Sequence, residues 1–232
     1  MRIDVLTLFP QVFEPFINTS ILGRIQRQKR AKIYLHNLRD FGLGKYRAVD
    51  DKPYGGGIGM ILKVDVVKSA IQKIEKEGKQ KSYKILLDPK GKLFNQKKAE
   101  SLSKKQRILL VCGHYEGVDA RVESLVDESI SIGDYVLTGG EAAAMVIVDA
   151  VTRLLLGALP KKQALNKESF KEFLLEYPQY TFPRVFDGSK VPEILLSGNL
   201  ERIEKWQRRK QIILTKRLRS DLFQKFKNAQ KD

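Results

Sequence analysis

Three short, almost uninterrupted apolar runs constrain this chain more than any other feature. They cover residues 3–9, 84–87 and 108–112, and each closes on a turn residue: Pro10, Asp88-Pro89 and Gly113. The last two are too short and too evenly apolar for an amphipathic surface helix. Runs of this kind are strands of a parallel sheet, covered on both faces. A fourth segment, 32–38, alternates through Ile33, Leu35, His36 and Leu38 and reads as another strand. Helical patterns over about 11–28, 64–77 and 96–103 separate these runs. Strands alternating with helices predict an α/β fold built on a parallel sheet. Ligands of such sheets bind beyond the carboxyl ends of the strands, so the loops that follow these runs are the first candidates for a site.

From Glu141 to Leu156 the pattern changes. Ala142, Ala143, Ala144, Met145, Val146, Ile147, Val148, Ala150 and Val151 leave almost no polar face. Such a helix is expected to be buried all round, either as a central core helix or between the core and a second subunit. Gly157 and Pro160 stop it. The expected division is a sheet domain over 1–160, a flexible linker over 161–175, and a small, basic, mainly helical domain over 176–232.

Charge narrows the function. The 232 residues carry 43 Lys+Arg against 27 Asp+Glu, a net +16, and residues 200–232 alone hold 11 basic and 4 acidic side chains. A surplus of this size suits a polyanion, because each phosphate contact releases condensed counterions. Nucleic acid is the first expectation and an acidic membrane surface the second. A single cysteine, Cys112, excludes an internal disulfide and a multi-cysteine zinc site. No apolar run reaches the ~18 residues that cross a bilayer. The segment Met1-Arg2-Ile3-Asp4-Val5 has no signal-peptide pattern, so a cytoplasmic protein is expected.

Two glycine-rich stretches stand out. One is Asp50-Asp51-Lys52-Pro53-Tyr54-Gly55-Gly56-Gly57-Ile58-Gly59-Met60; the other runs from Ser131 to Glu141 through Gly133, Gly139 and Gly140. The first has neither the spacing of a dinucleotide fingerprint nor the ending of a P-loop. Dense glycine lets the backbone approach a ligand closely, although a mobile surface loop has the same composition. A third segment, Gly113-His114-Tyr115-Glu116-Gly117, follows the end of a buried run, as Asp88-Pro89-Lys90-Gly91 does.

Taken together, Pro53 to Met60, Gly113 to Gly117, Ser131 to Glu141 and Leu195-Leu196-Ser197-Gly198-Asn199 resemble, in the same order, the bacterial tRNA (guanine-N1) methyltransferases of the SPOUT class. The resemblance spans nearly the whole chain. It implies a parallel sheet with a trefoil knot, a rare exception to ordinary chain topology. The knot loops would be 86–91, 113–117 and 132–140. They would hold S-adenosylmethionine through Leu86, Pro89, Gly113, Tyr115, Glu116, Gly117, Ile132, Gly133, Asp134, Tyr135, Val136, Leu137, Gly139 and Gly140. It further implies a homodimer with shared active sites, acting on guanosine 37 of tRNA, with Asp50, Tyr54, Gly55, Gly56, Gly57, Gly59, Ser197 and Asn199 on the substrate side.

Guanine N1 is a poor nucleophile until its proton leaves, so a positioned carboxylate is needed. Charge then develops at O6, where a fixed cation stabilises it. The family's arginine for O6 falls on Arg153, and its base, an aspartate before Ser-Phe, falls on Glu168, one methylene longer. No metal site is expected. The chain also departs from the family pattern at Phe182, Leu200, Gln207 and Leu214, where basic or imidazole side chains are usual.

Overall fold

The structure, a computed structural model, describes residues 1–158 and 168–230. The first part of the expected linker, 161–167, and the stop at Pro160 lie outside the described residues. The chain divides into two compact units, 1–160 and 161–232.

The first unit is a five-stranded parallel sheet. Its strands are β1 (Arg2–Thr7), β2 (Lys32–Asn37), β5 (Tyr83–Leu93), β6 (Arg107–Cys112) and β7 (Glu128–Ser131), in the order β2-β1-β6-β5-β7. Asp50–Asp51 (β3) and Ile61–Leu62 (β4) form a separate antiparallel pair. Ile3 faces Ile33 on one side and Ile108 on the other, which sets the register of the centre. The near-continuous apolar runs serve two layers at once. Ile3, Val5, Ile85, Leu87, Ile108 and Leu110 face α2 (Ser20–Arg27), α4 (Gln96–Ser103) and α5 (Glu141–Thr152). Leu6, Leu86, Leu109 and Val111 face α3 (Val64–Lys76).

The helix expected over 11–28 is broken into a 3-10 turn at Pro10–Phe13, α1 (Glu14–Asn18) and α2. The Asn18 amide donates to the Glu14 carbonyl and the Thr19 hydroxyl to the Pro15 carbonyl, both at 2.8 Å. These side chains take acceptors that a continuing helix would use, and the backbone turns away. Strand β7 was not foreseen; its sequence, Glu-Ser-Ile-Ser, is short and polar. The apolar helix ends at Thr152, whose hydroxyl bonds back to the Val148 carbonyl at 2.7 Å.

At the strands' amino ends lies a buried ionic hub. Asp4, with no exposed surface, is met by Arg2 at 2.7 Å, His36 at 2.8 Å and Arg107 at 2.9 Å. Arg107 also donates to the carbonyls of Ile74 at 2.6 Å and Gln80 at 2.9 Å. Burial alone would raise the Asp4 pKa; hydrogen bonds from His36, Arg2 and Arg107 outweigh it and leave the carboxyl below its ordinary value.

The second unit holds a short hairpin of β8 (Val185–Phe186) and β9 (Ser189–Lys190), then α6 (Leu200–Leu218) and α7 (Ser220–Ala229). Among its described residues Leu174, Thr215, Leu222 and Phe226 are buried. Thr215 accepts from the Leu175 amide at 2.8 Å and donates to the Gln211 carbonyl at 2.7 Å. In the last part of the expected linker, Lys171–Phe173 form a 3-10 turn flanked and interrupted by positive φ at Phe170, Glu172 and Phe173.

Candidate active site

The irregular stretch within β5 that follows Leu87 and the loops after β6 and β7 converge around a cavity of about 230 Å³. It is lined by Pro89, Gly113, Tyr115, Glu116, Gly117, Ile132, Gly133, Tyr135, Val136, Leu137, Gly139 and Gly140. Twelve of the fourteen residues expected to hold the cofactor therefore meet on one hollow. Leu86 is not on its wall. It is wholly buried in the α3 layer, and its neighbour Leu87 lines the cavity instead. Asp134 is also absent from the lining. Asp88, His114, Val118, Ile130, Ser131, Thr138 and Ala143 complete the wall. The alternation of side chains along a strand separates Leu86 from Leu87, but a run apolar on both faces conceals which is which.

The loops seat closely because glycine allows it. A Cβ on Gly140 would lie 2.9 Å from Cys112 Cα, and the Gly140 amide donates to the Gly113 carbonyl at 2.8 Å. Gly117 has φ +116°, a backbone conformation that side chains rarely adopt. Behind the wall, Thr7 donates to Glu141 at 2.7 Å, and His114 Nδ1 is buried 3.6 Å from the other Glu141 oxygen. The imidazole packs against Phe9 and Tyr115, each centroid 4.9 Å away. Burial, with Glu141 nearby, pushes the Cys112 thiol well above its ordinary value, so it packs as a neutral residue.

The wall's charge is opposite to the protein's. Asp88 and Glu116 line the cavity, and no Lys or Arg is among its lining residues. Four large apolar side chains stand exposed on it: Tyr115, Tyr135, Val136 and Leu137. This set fits a compact, positively charged ligand with a flat or apolar part, held largely by backbone groups, and it fits S-adenosylmethionine on those grounds. Among the described residues no group of three or more His, Cys, Asp or Glu is placed to hold a metal ion.

The glycine-rich stretch 53–59 is stitched beside this wall. The Glu116 amide donates to the Met60 carbonyl at 3.1 Å, and the Leu62 amide to the Gly117 carbonyl at 3.0 Å. Gly55, Gly56, Gly57 and Gly59 all have positive φ, and a Cβ on Gly59 would lie 2.5 Å from Glu116 Cγ. Tyr54 and Ile58 are almost fully exposed. Asp50 pairs with Leu62 in the β3–β4 ladder. Tyr54 helps line a second hollow with Asp51, Lys63, Asp119 and Arg121. There the Arg121 guanidinium holds the Asp119 carboxyl down to about 2.

The remaining candidates lie off this wall. Arg153 caps the C-terminal end of α5, its amide donating to the Asp149 carbonyl at 3.1 Å. Glu168 belongs to the second unit, and its carbonyl accepts from the Lys171 amide at 3.4 Å. Asn199 caps α6 by accepting from the Arg202 amide at 3.0 Å, and the Ser197 hydroxyl donates to the Ile194 carbonyl at 2.8 Å.

Fold and hollow define an α/β protein with a glycine-turned, acid-lined hollow at the carboxyl end of its sheet. The chain belongs to the tRNA (guanine-1)-methyltransferase TrmD family, which it matches over residues 1–225. It is similar over its whole length to proteins named tRNA (guanine-N(1)-)-methyltransferase: 52% identical to that of Dictyoglomus turgidum, covering 94% of the relative. Identity is 50% to the protein of Caldanaerobacter subterraneus subsp. tengcongensis and 48% to that of Clostridium botulinum strain Hall, with 95% of each covered.

Proposed function

We propose that this protein is a tRNA methyltransferase that moves a methyl group from S-adenosylmethionine to N1 of guanosine 37, beside the anticodon. Family membership over residues 1–225 carries the reaction. The acid-lined hollow supports the cofactor. When bound, S-adenosylmethionine supplies an electrophilic methyl group. The chain's own residues do the rest. The turns at Gly113–Gly117 and Ile132–Gly140 hold and orient the donor through backbone groups. Glu168 takes the N1 proton of guanine, and Arg153 stabilises the charge that develops at O6. Orientation provides most of the remaining acceleration. Asp50, Tyr54 and the glycines after it face the RNA from the loop beside Glu116, and Ser197 and Asn199 do so from the second unit.

The same reading includes a trefoil knot formed by the stretches 86–91, 113–117 and 132–140, an interdomain linker carrying Glu168, and a basic helical tRNA-binding domain. It also places the enzyme in the cytoplasm as a homodimer. Helix α5 supports the dimer. In the single chain it is not buried all round: Ala142 and Val146 are exposed and Met145 and Ala150 half-exposed, a largely apolar stripe, broken by exposed Asp149, that a second copy would cover. Among the described residues no helix is long and apolar enough to cross a membrane.

Primer extension on treated tRNA tests the reaction, because N1-methylguanine blocks Watson–Crick pairing. A stop at position 37 is expected; a stop elsewhere would assign another site, on tRNA or ribosomal RNA. Glu168→Gln is expected to abolish the stop while calorimetry shows nearly unchanged heat with S-adenosylmethionine. Absence of heat with the unsubstituted protein would favour a non-catalytic RNA-binding protein.

A further inference from the structure

The end of the sheet opposite the cavity carries a different chemistry. Residues 68–105 hold twelve lysines against four acids, a net +8, half the charge of the whole chain. Lys79 and Lys81 precede β5, Lys104 and Lys105 precede β6, and Lys29, Arg30 and Lys32 stand at the start of β2; all seven are exposed. The order β2-β1-β6-β5 makes these starts neighbours. Strands lie about 4.8 Å apart, so the cations form one rim roughly 15 Å across.

The carboxylates at this end are already engaged. Asp4 is enclosed by Arg2, Arg107 and His36, Glu77 pairs with Arg2 at 3.8 Å, Asp127 with Lys84 at 3.5 Å, and Glu128 with Lys98. Glu75 accepts from Ser82. None of the seven rim cations has a carboxylate at ion-pair distance among the described residues. Between Lys81 and Lys105 lies a concavity of about 240 Å³. The Lys105 ammonium is held 4.5 Å from the centroid of Tyr83.

We propose that this rim is a second RNA-binding surface, taking the phosphodiester backbone of base-paired RNA by charge and shape, without reading sequence. Its unpaired cations repel one another, and phosphates relieve that repulsion while releasing their own counterions. Stacking of unpaired bases uses open aromatic rings; at this end Tyr34 carries the Arg2 guanidinium on its face and Tyr83 is half-buried beneath Lys98 and Lys105. Strands of six residues put the rim about 20 Å from the cavity. The RNA held here is therefore not the nucleotide at the cavity, and the inference does not depend on methyl transfer.

The test uses the full chain and a 20-base-pair RNA duplex of arbitrary sequence, with binding measured over a KCl series. One variant carries Lys79→Gln, Lys81→Gln, Lys104→Gln and Lys105→Gln. A comparator of equal net charge carries Lys45→Gln, Arg47→Gln, Lys68→Gln and Lys92→Gln, all exposed as well. The rim variant is expected to lower the slope of log K against log [KCl] by about 3, the comparator by less than about 1. Both should melt at the unsubstituted temperature. An unchanged slope in the rim variant, or an equal fall in both, overturns the proposal. So does a rim variant that keeps duplex binding but loses affinity for phosphatidylserine vesicles.

Discussion

The two units solve the problem of burial differently. The sheet unit encloses two continuous apolar layers, and residues such as Ile3, Leu109 and Val148 have no exposed surface. The helical unit buries four residues among those described and leaves Phe182, Phe186 and Leu200 more than 60% exposed. A sheet covered on both sides stands on its own core. A pair of basic helices depends more on caps, on single hydrogen bonds such as those of Thr215, and on whatever surface meets those aromatic side chains.

Substitutions can break this contrast. The largest effect is expected for Asp4→Ala, which leaves Arg107 buried beside an empty place: about 3–5 kcal/mol in denaturant unfolding. The same carboxylate sets the acid limit. Its folded pKa lies below its unfolded value, so its stabilisation is complete above the ordinary carboxylate range and is lost as pH falls through the lower folded value. Acid titration of Asp4→Ala should therefore show a flatter decline than the unsubstituted protein; an identical curve would remove Asp4 from that role. Next, Leu109→Ala in the sheet core should cost about 3–4 kcal/mol, whereas Leu222→Ala, 8% exposed, should cost about 2 and affect the helical unit alone in hydrogen exchange. Equal costs spread over the whole chain would erase the distinction. The smallest effect is Asn199→Ala, which removes the α6 cap for about 1 kcal/mol.

Much of the sheet unit was legible because its physics is local. Helix α4 occupies 96–103 as its periodicity implies, and the buried runs become β1, β5 and β6. Strand β7 escaped notice because an edge strand of alternating polar residues carries no apolar run. The break at Thr19 escaped because side-chain hydrogen bonds to carbonyls leave no mark on hydrophobic periodicity. The hollow was readable as three glycine turns, but Leu87 and His114 were not, since strand parity and ring packing are settled only in three dimensions. The tail drew attention as the basic region, yet an equally basic stretch lies in 68–105, where lysines far apart in sequence meet only through strand order.

The hollow's walls come from residues 87–89, 113–118, 130–133, 135–140 and Ala143, with the last turn anchored by the start of α5. No shorter stretch of chain contains a working portion of it. A polypeptide leaving the ribosome amino end first could shape β1, β2 and α3 early and still have nowhere to seat a small molecule. Only when residues beyond 150 have emerged and docked does the recess close, so affinity for a small ligand is a late milestone in the molecule's synthesis, and its first appearance on stalled chains of increasing length would time that docking.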